Sequence, residues 1–207
     1  MMILEHAAPD TGGREGLKDM DEDPDSTRCA THRITISVDV PAAGWRRAIP
    51  GIDATVREVA TAALRAGAGD FAAPEGIELS VVLADDAVVR ALNRDYRGRD
   101  APTNVLAFPQ SDAPGELSPE GPVLLGDVVL ALETVRREAV AQGKSAIDHA
   151  SHLVVHGILH LLGFDHHVDA DAADMERREI AILAGLGIAD PYAGDTAPVT
   201  PAGGAGS

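Results

Sequence analysis

The stretch His156-Gly157-Ile158-Leu159-His160-Leu161-Leu162-Gly163-Phe164-Asp165-His166 constrains this chain more than any other. Histidines four residues apart lie on one face of a helix, one turn above the other, so two imidazoles can converge on a single metal ion. Gly163 readily takes the left-handed conformation of a helix C-cap. The chain can turn back there and bring in His166 as a third nitrogen donor. Three protein ligands leave one position of a tetrahedral zinc open for water, the arrangement of a catalytic site. The spacing therefore predicts a hydrolytic centre in which His156, His160 and His166 hold one zinc ion. Three imidazoles also accept nickel, copper or iron.

The frame H-x-x-x-H-x-x-G-x-x-H is that of the extended metzincin motif, with one difference. In H-E-x-x-H enzymes the residue after the first histidine is the glutamate that serves as general base. Here it is Gly157, so a zincin-like metal helix is expected without the protease base. A metalloprotease survives as an alternative only if another carboxylate substitutes. Asp165 reads either as an orienting partner for an imidazole or as a turn residue bonding its own backbone. His149 and His152 precede His156 at helical spacing and read as satisfied non-ligand histidines, with His167 a solvent-facing neighbour. Thr103 and Asn104 read by default as turn-capping residues, with phosphate contact as the alternative.

A chain of 207 residues, 45% of them hydrophobic, reads as one domain with tails. No apolar run approaches the length of a membrane span. Met1-Met2-Ile3-Leu4-Glu5-His6 lacks the basic flank and apolar region of a signal peptide, and the single Cys29 cannot form an internal disulfide. The expectation is a cytoplasmic protein with no membrane partner. Net charge is −16; setting aside the tails at 1–32 (eight acidic, three basic) and 190–207 (two acidic) leaves −9 on the body. That excludes a broad nonspecific grip on nucleic acid and requires a local basic pocket for any nucleic acid substrate.

Residues 1–32 carry the run Asp19-Met20-Asp21-Glu22-Asp23-Pro24-Asp25 and read as a disordered acidic tail. Strands are predicted at 33–40, 77–83, 105–108 and 123–130, with Gly126 marking a bulge or a close backbone approach. Residues 41–50 read as a connection holding the only tryptophan, Trp45, as a packing residue. Helices are predicted at 52–64, from an Asp85 or Asp86 cap towards Tyr96, at 133–142, from a Ser145 cap through the histidine motif, and at 169–186. Residues 110–121 read as a surface loop and 190–207 as a disordered C-terminal tail. The element order predicts an α+β layered domain over residues 33–189: a roughly four-stranded sheet packed against helices, one of them the metal helix.

The body of the chain resembles the YbeY family of bacterial ribosomal RNA maturation factors. The resemblance rests on the histidine motif and on Tyr96-Arg97 with Pro102-Thr103-Asn104-Val105-Leu106, with Leu125-Gly126-Asp127-Val128-Val129 between them. It implies a zinc-dependent endoribonuclease that prefers single strands, acting in 16S ribosomal RNA 3′-end maturation, ribosome assembly and ribosome quality control. It also implies a ribosomal or small-subunit setting, with a small-subunit ribosomal protein and an Era-type GTPase as candidate partners. From the residues alone Arg97 is a surface arginine in a basic turn. The resemblance makes it the arginine beside the metal, a catalytic residue together with His156. Ala107 stands where the family pattern has serine, so any hydroxyl role there is absent. A noncatalytic ribosome-assembly metalloprotein is the other alternative.

Overall fold

Alternating β-branched and polar residues make Ile34–Asp39 a strand (β1), with Ile36 buried and Thr35 and Ser37 exposed. The structure is a computed structural model that describes residues 33–68, 73, 75–110, 121–164 and 169–193. The expected acidic tail at 1–32, most of the loop at 110–121 and residues 194–207 lie outside the described residues.

The segment after β1, read from sequence as a plain connection, folds into a short helix at Gly44–Ala48 (α1). Burial of Trp45 is the reason. Its side chain is fully enclosed, and its indole N–H donates to the Ala84 carbonyl at 2.7 Å, so the one polar atom of the ring is satisfied. Helix α2 (Ile52–Gly67) presents Ile52, Val56, Val59, Ala60, Ala63 and Leu64 to the interior. It leads into β2 (Ile77–Ala84), whose odd-numbered residues from Ile77 to Leu83 are buried. Asp85 caps α3 (Asp86–Arg97) by accepting from the Val88 N–H at 2.9 Å. Strands β3 (Val105–Pro109) and β4 (Val123–Ala131) follow, then α4 (Leu132–Ala141), α5 (Ala146–Leu161) and α6 (Asp169–Gly185).

The sheet order is β1-β2-β4-β3, with β1, β2 and β4 parallel and the edge strand β3 antiparallel to β4. The mixed sheet with helices on it is the α+β architecture expected. The larger core lies between the sheet and α2, α5 and α6; a smaller one, built on Val89, Leu106, Val129 and Ala131, lies beneath α3. The alternating side chains of β3 serve both. Leu106 and Phe108 pack towards α3, whereas Val105 and Ala107 pack on the core that contains α5. The site therefore forms where the edge strand meets α5.

Gly126 fulfils both expectations attached to it. The β2–β4 register slips there, Glu78 pairing with Leu124 and Leu79 with Gly126. Its φ is +131°, and a Cβ at this position would sit 2.0 Å from the Phe108 carbonyl oxygen. No residue with a side chain fits between β4 and β3 at that point.

Residues 190–193, read from sequence as the start of the C-terminal tail, are part of the described structure. Pro191 is buried and Tyr192 half-buried against the site. No helix among the described residues is long and apolar enough to cross a membrane.

Candidate metal centre

Helix α5 is set in place at both ends by its own sequence. Ser145 caps its start by accepting from the Asp148 N–H at 3.1 Å. Gly163, at φ +90°, ends it: its N–H donates to His160 O, and the Phe164 N–H donates to Leu159 O, each at 3.0 Å. That pair of bonds is a Schellman turn. The turn delivers the Phe164 carbonyl to the His160 ring, whose Nδ1 lies 3.1 Å from it. Between the caps, Val154, Val155, Ile158, Leu159 and Leu161 are buried in the core, while His156 and His160 remain partly accessible.

Gly157 has a steric reason. A Cβ there would lie 2.8 Å from a methyl of Val128 on β4 and 3.5 Å from Val105 on β3. The helix rests directly on the sheet at this residue, and a glutamate would have to push it off. The general base of an H-E-x-x-H protease has no room at this position.

His156 and His160 meet as their spacing requires. Their Nε2 atoms face each other at 3.1 Å, with ring centroids 4.6 Å apart. Each ring's other nitrogen points at an oxygen acceptor: His156 Nδ1 at Glu179 Oε1 (2.7 Å) and His160 Nδ1 at Phe164 O. Acceptors at both Nδ1 atoms favour the Nδ1–H tautomer in both rings, which turns two Nε2 lone pairs towards one another. Two such donors suit a cation between them. A tetrahedral zinc with bonds of about 2.0–2.1 Å holds two imidazole nitrogens roughly 3.3 Å apart, close to the spacing observed. The residues present fit a metal. His166, the third expected ligand, lies outside the described residues, as do Asp165 and His167.

Glu179 on α6 is the residue the sequence left unmarked. It is 1% exposed. Besides His156, it receives His152 Nε2 at 2.9 Å and the Tyr192 hydroxyl on Oε2. Burial pushes its carboxyl up, but the hydrogen bonds from His152, His156 and Tyr192 outweigh burial and hold it at about 2. Burial and the neighbouring carboxylate push the Tyr192 hydroxyl well above the ordinary phenol value. His152, His156 and Glu179 bring one donor atom each within 4.8 Å of one another, a group that could also hold a metal ion. In that group the imidazole nitrogens are engaged with carboxylate oxygens, whereas His156 and His160 turn their Nε2 atoms towards one another. His149, as expected, has a structural partner: its Nε2 lies 2.9 Å from Glu138 Oε2, and burial pushes its pKa down.

His156 and His160 open onto a cleft of about 920 Å³ also lined by Arg97, Arg99, Thr103, Asn104, Val105 and Ala107. Arg97 closes α3, and the connection into β3 carries Arg99, Thr103 and Asn104 along the same wall. The structure thus places Arg97 on the same cleft as the two histidines, although it lies roughly sixty residues away in sequence. Neither Arg97 nor Arg99 is paired through its side chain among the described residues, while Arg90 and Arg94 of α3 bind Asp100 and Asp95. No carboxylate is among the described residues lining the cleft. In a chain of net charge −16, this pocket is locally cationic. Asn104 acts chiefly as a turn residue: its Oδ1 accepts from the Val105 N–H and its Nδ2 donates to Glu138.

Comparison with known proteins identifies the family. Residues 47–187 match the sequence profile of a family described as Endoribonuclease YbeY. Endoribonuclease YbeY of Paramagnetospirillum magneticum is 54% identical over 164 residues, covering 78% of this chain and 98% of that protein. Endoribonuclease YbeY of Rhodospirillum rubrum is 50% identical over 169 residues, covering 80% and 84%. Endoribonuclease YbeY of Azorhizobium caulinodans is 51% identical over 162 residues, covering 77% and 97%. With a family profile that spans residues 47–187 and identity of this extent over most of its length, the chain belongs to the Endoribonuclease YbeY family.

Proposed function

We propose that this protein is a metal-dependent endoribonuclease that cuts single-stranded RNA in ribosomal RNA maturation, with zinc held by His156, His160 and His166. The observation that carries this reading is one cleft, free of carboxylates among its described residues, lined by two facing imidazoles and by two arginines whose side chains have no partner among the described residues. Names of relatives that are half identical to the chain support the endoribonuclease class. The two sequence motifs support ribosomal RNA as its target.

The division of labour follows from the residues. Zinc, when bound, would act as a Lewis acid towards a phosphoryl oxygen and lower the pKa of an attached water to about 7. His156 and His160 would hold it through Nε2, each ring fixed at Nδ1 by its oxygen partner. Arg97 stays charged at any working pH and forks onto phosphate oxygens, where charge builds in the transition state. Arg99 adds a second cation on the same wall. The cleft is lined by residues of the edge strand β3, which suits an extended strand better than a duplex.

The test is cleavage of a labelled single-stranded ribosomal RNA 3′ fragment by zinc-loaded protein, with chelated protein alongside and casein as a second substrate. Cutting of RNA, lost on chelation, with casein intact is expected. Casein digestion would return the protease reading. Intact RNA beside stoichiometrically bound metal would move the function to a noncatalytic assembly role.

A further inference from the structure

Helix α6 supplies no residue of the histidine motif, yet its Glu179 bonds His156 and the adjacent Arg178 packs on Phe164, the residue after the Gly163 turn. The Arg178 guanidinium lies 4.5 Å over the Phe164 ring, and the Phe164 carbonyl is the acceptor at His160 Nδ1. Glu179 is the acceptor at His156 Nδ1. Its partners among the described residues are His152, His156 and Tyr192, none of them lysine or arginine. Taking a carboxylate out of water is costly, and here the cost is offset by hydrogen bonds from two imidazoles and a phenol, which leave a charged acceptor against His156 Nδ1. A divalent ion on the far nitrogen of His156 would offset that charge across one ring, the carboxylate–histidine–metal arrangement that raises ligand basicity.

We propose that Glu179 is a positioning residue of the metal centre: it holds His156 in the Nδ1–H form with Nε2 turned to the ion, while His152 and Tyr192 hold Glu179. The proposal rests on His156 and His160 being ligands. It makes the turn at 190–193 part of the active site, because Tyr192 reaches the carboxylate from there. It also gives His152 a role as a brace rather than a ligand. The seven-residue step from His149 to His156 then alternates outer support, brace and ligand along one helix face.

The test uses nitrogen-15 histidine NMR on the metal-free full chain, followed by cobalt titration of the same samples. Wild-type His156 is expected as the Nδ1–H tautomer. Glu179→Gln keeps the side-chain volume but places an amide donor among donors. It should give a measurable Nε2–H share and weaken cobalt binding by about 10–100-fold, with circular dichroism unchanged. A role confined to folding would lower thermal stability without moving the tautomer. If Glu179→Gln does not fold, Tyr192→Phe, which removes one brace at nearly constant volume, should move both readouts the same way by a smaller factor. Wild-type His156 as Nε2–H, or a folded variant with unchanged tautomer and affinity, overturns the proposal. A wild-type chain that shows the Nδ1–H form but binds no cobalt overturns the ligand assignment, and this proposal with it.

Discussion

At the scale of single residues, the site divides according to whether its chemistry is encoded locally. His156 and His160 were legible because four residues make one helical turn, and that geometry needs no tertiary information. Glu179 and Tyr192 were not. They lie 23 and 36 positions beyond His156, and an acidic residue in the charged stretch before Leu183 reads as solvated until packing buries it. Arg97 falls between the two cases: the residues alone suggest a surface turn, and only the fold puts it on the cleft wall. Replacing it by glutamate should leave metal content and melting temperature unchanged and lower the rate of RNA cleavage by at least about 10²-fold, the scale of losing one preorganised donor. Full activity in Arg97→Glu would remove that residue from the mechanism.

At the scale of elements, boundaries that depend on caps were readable, and those that depend on a buried partner were not. Ser145 and Gly163 mark the ends of α5 through hydrogen bonds within a few residues. Helix α1 exists because Trp45 docks against the end of β2, a long-range contact that a Pro-flanked connection does not announce. Gly157 shows the converse, since its meaning changes with structure. In sequence it is a missing base; in the fold it is the point at which α5 touches β4. Gly157→Ala is expected to cost about 1–3 kcal/mol through overpacking against Val128, read as a lower thermal midpoint of the metal-free protein. Gly157→Glu, which recreates H-E-x-x-H, should destabilise further and digest no casein. A Gly157→Ala protein as stable as wild type would contradict the close seating of α5.

At the scale of the whole molecule, the charge distribution decides how RNA is bound. An overall charge of −16 repels a polyanion, so among the described residues the cleft with Arg97 and Arg99 and no lining carboxylate is the place expected to attract it. Each single-strand phosphate neutralised contributes about 0.7 to the slope of log affinity against log salt, so two contacts predict a slope of roughly −1.4. Binding of a noncleavable oligonucleotide across a salt series measures it. A slope steeper than about −4 would mean a basic surface much wider than this cleft. The layered α+β plan was legible from the order of strands and helices. The β1-β2-β4-β3 order was not, because pairing across the sheet depends on which hydrophobic faces meet.

If the facing histidines of α5 hold the ion on which RNA cleavage depends, metal and cleavage must be lost together. The most direct test measures metal content and single-stranded RNA cleavage on the same preparations of wild type and His160→Ala. One metal ion per chain with cleavage in the wild type, and loss of both in His160→Ala, is the result expected. A His160→Ala protein that keeps its metal, or that cuts RNA without it, would remove His160 from the metal centre or the metal from the reaction.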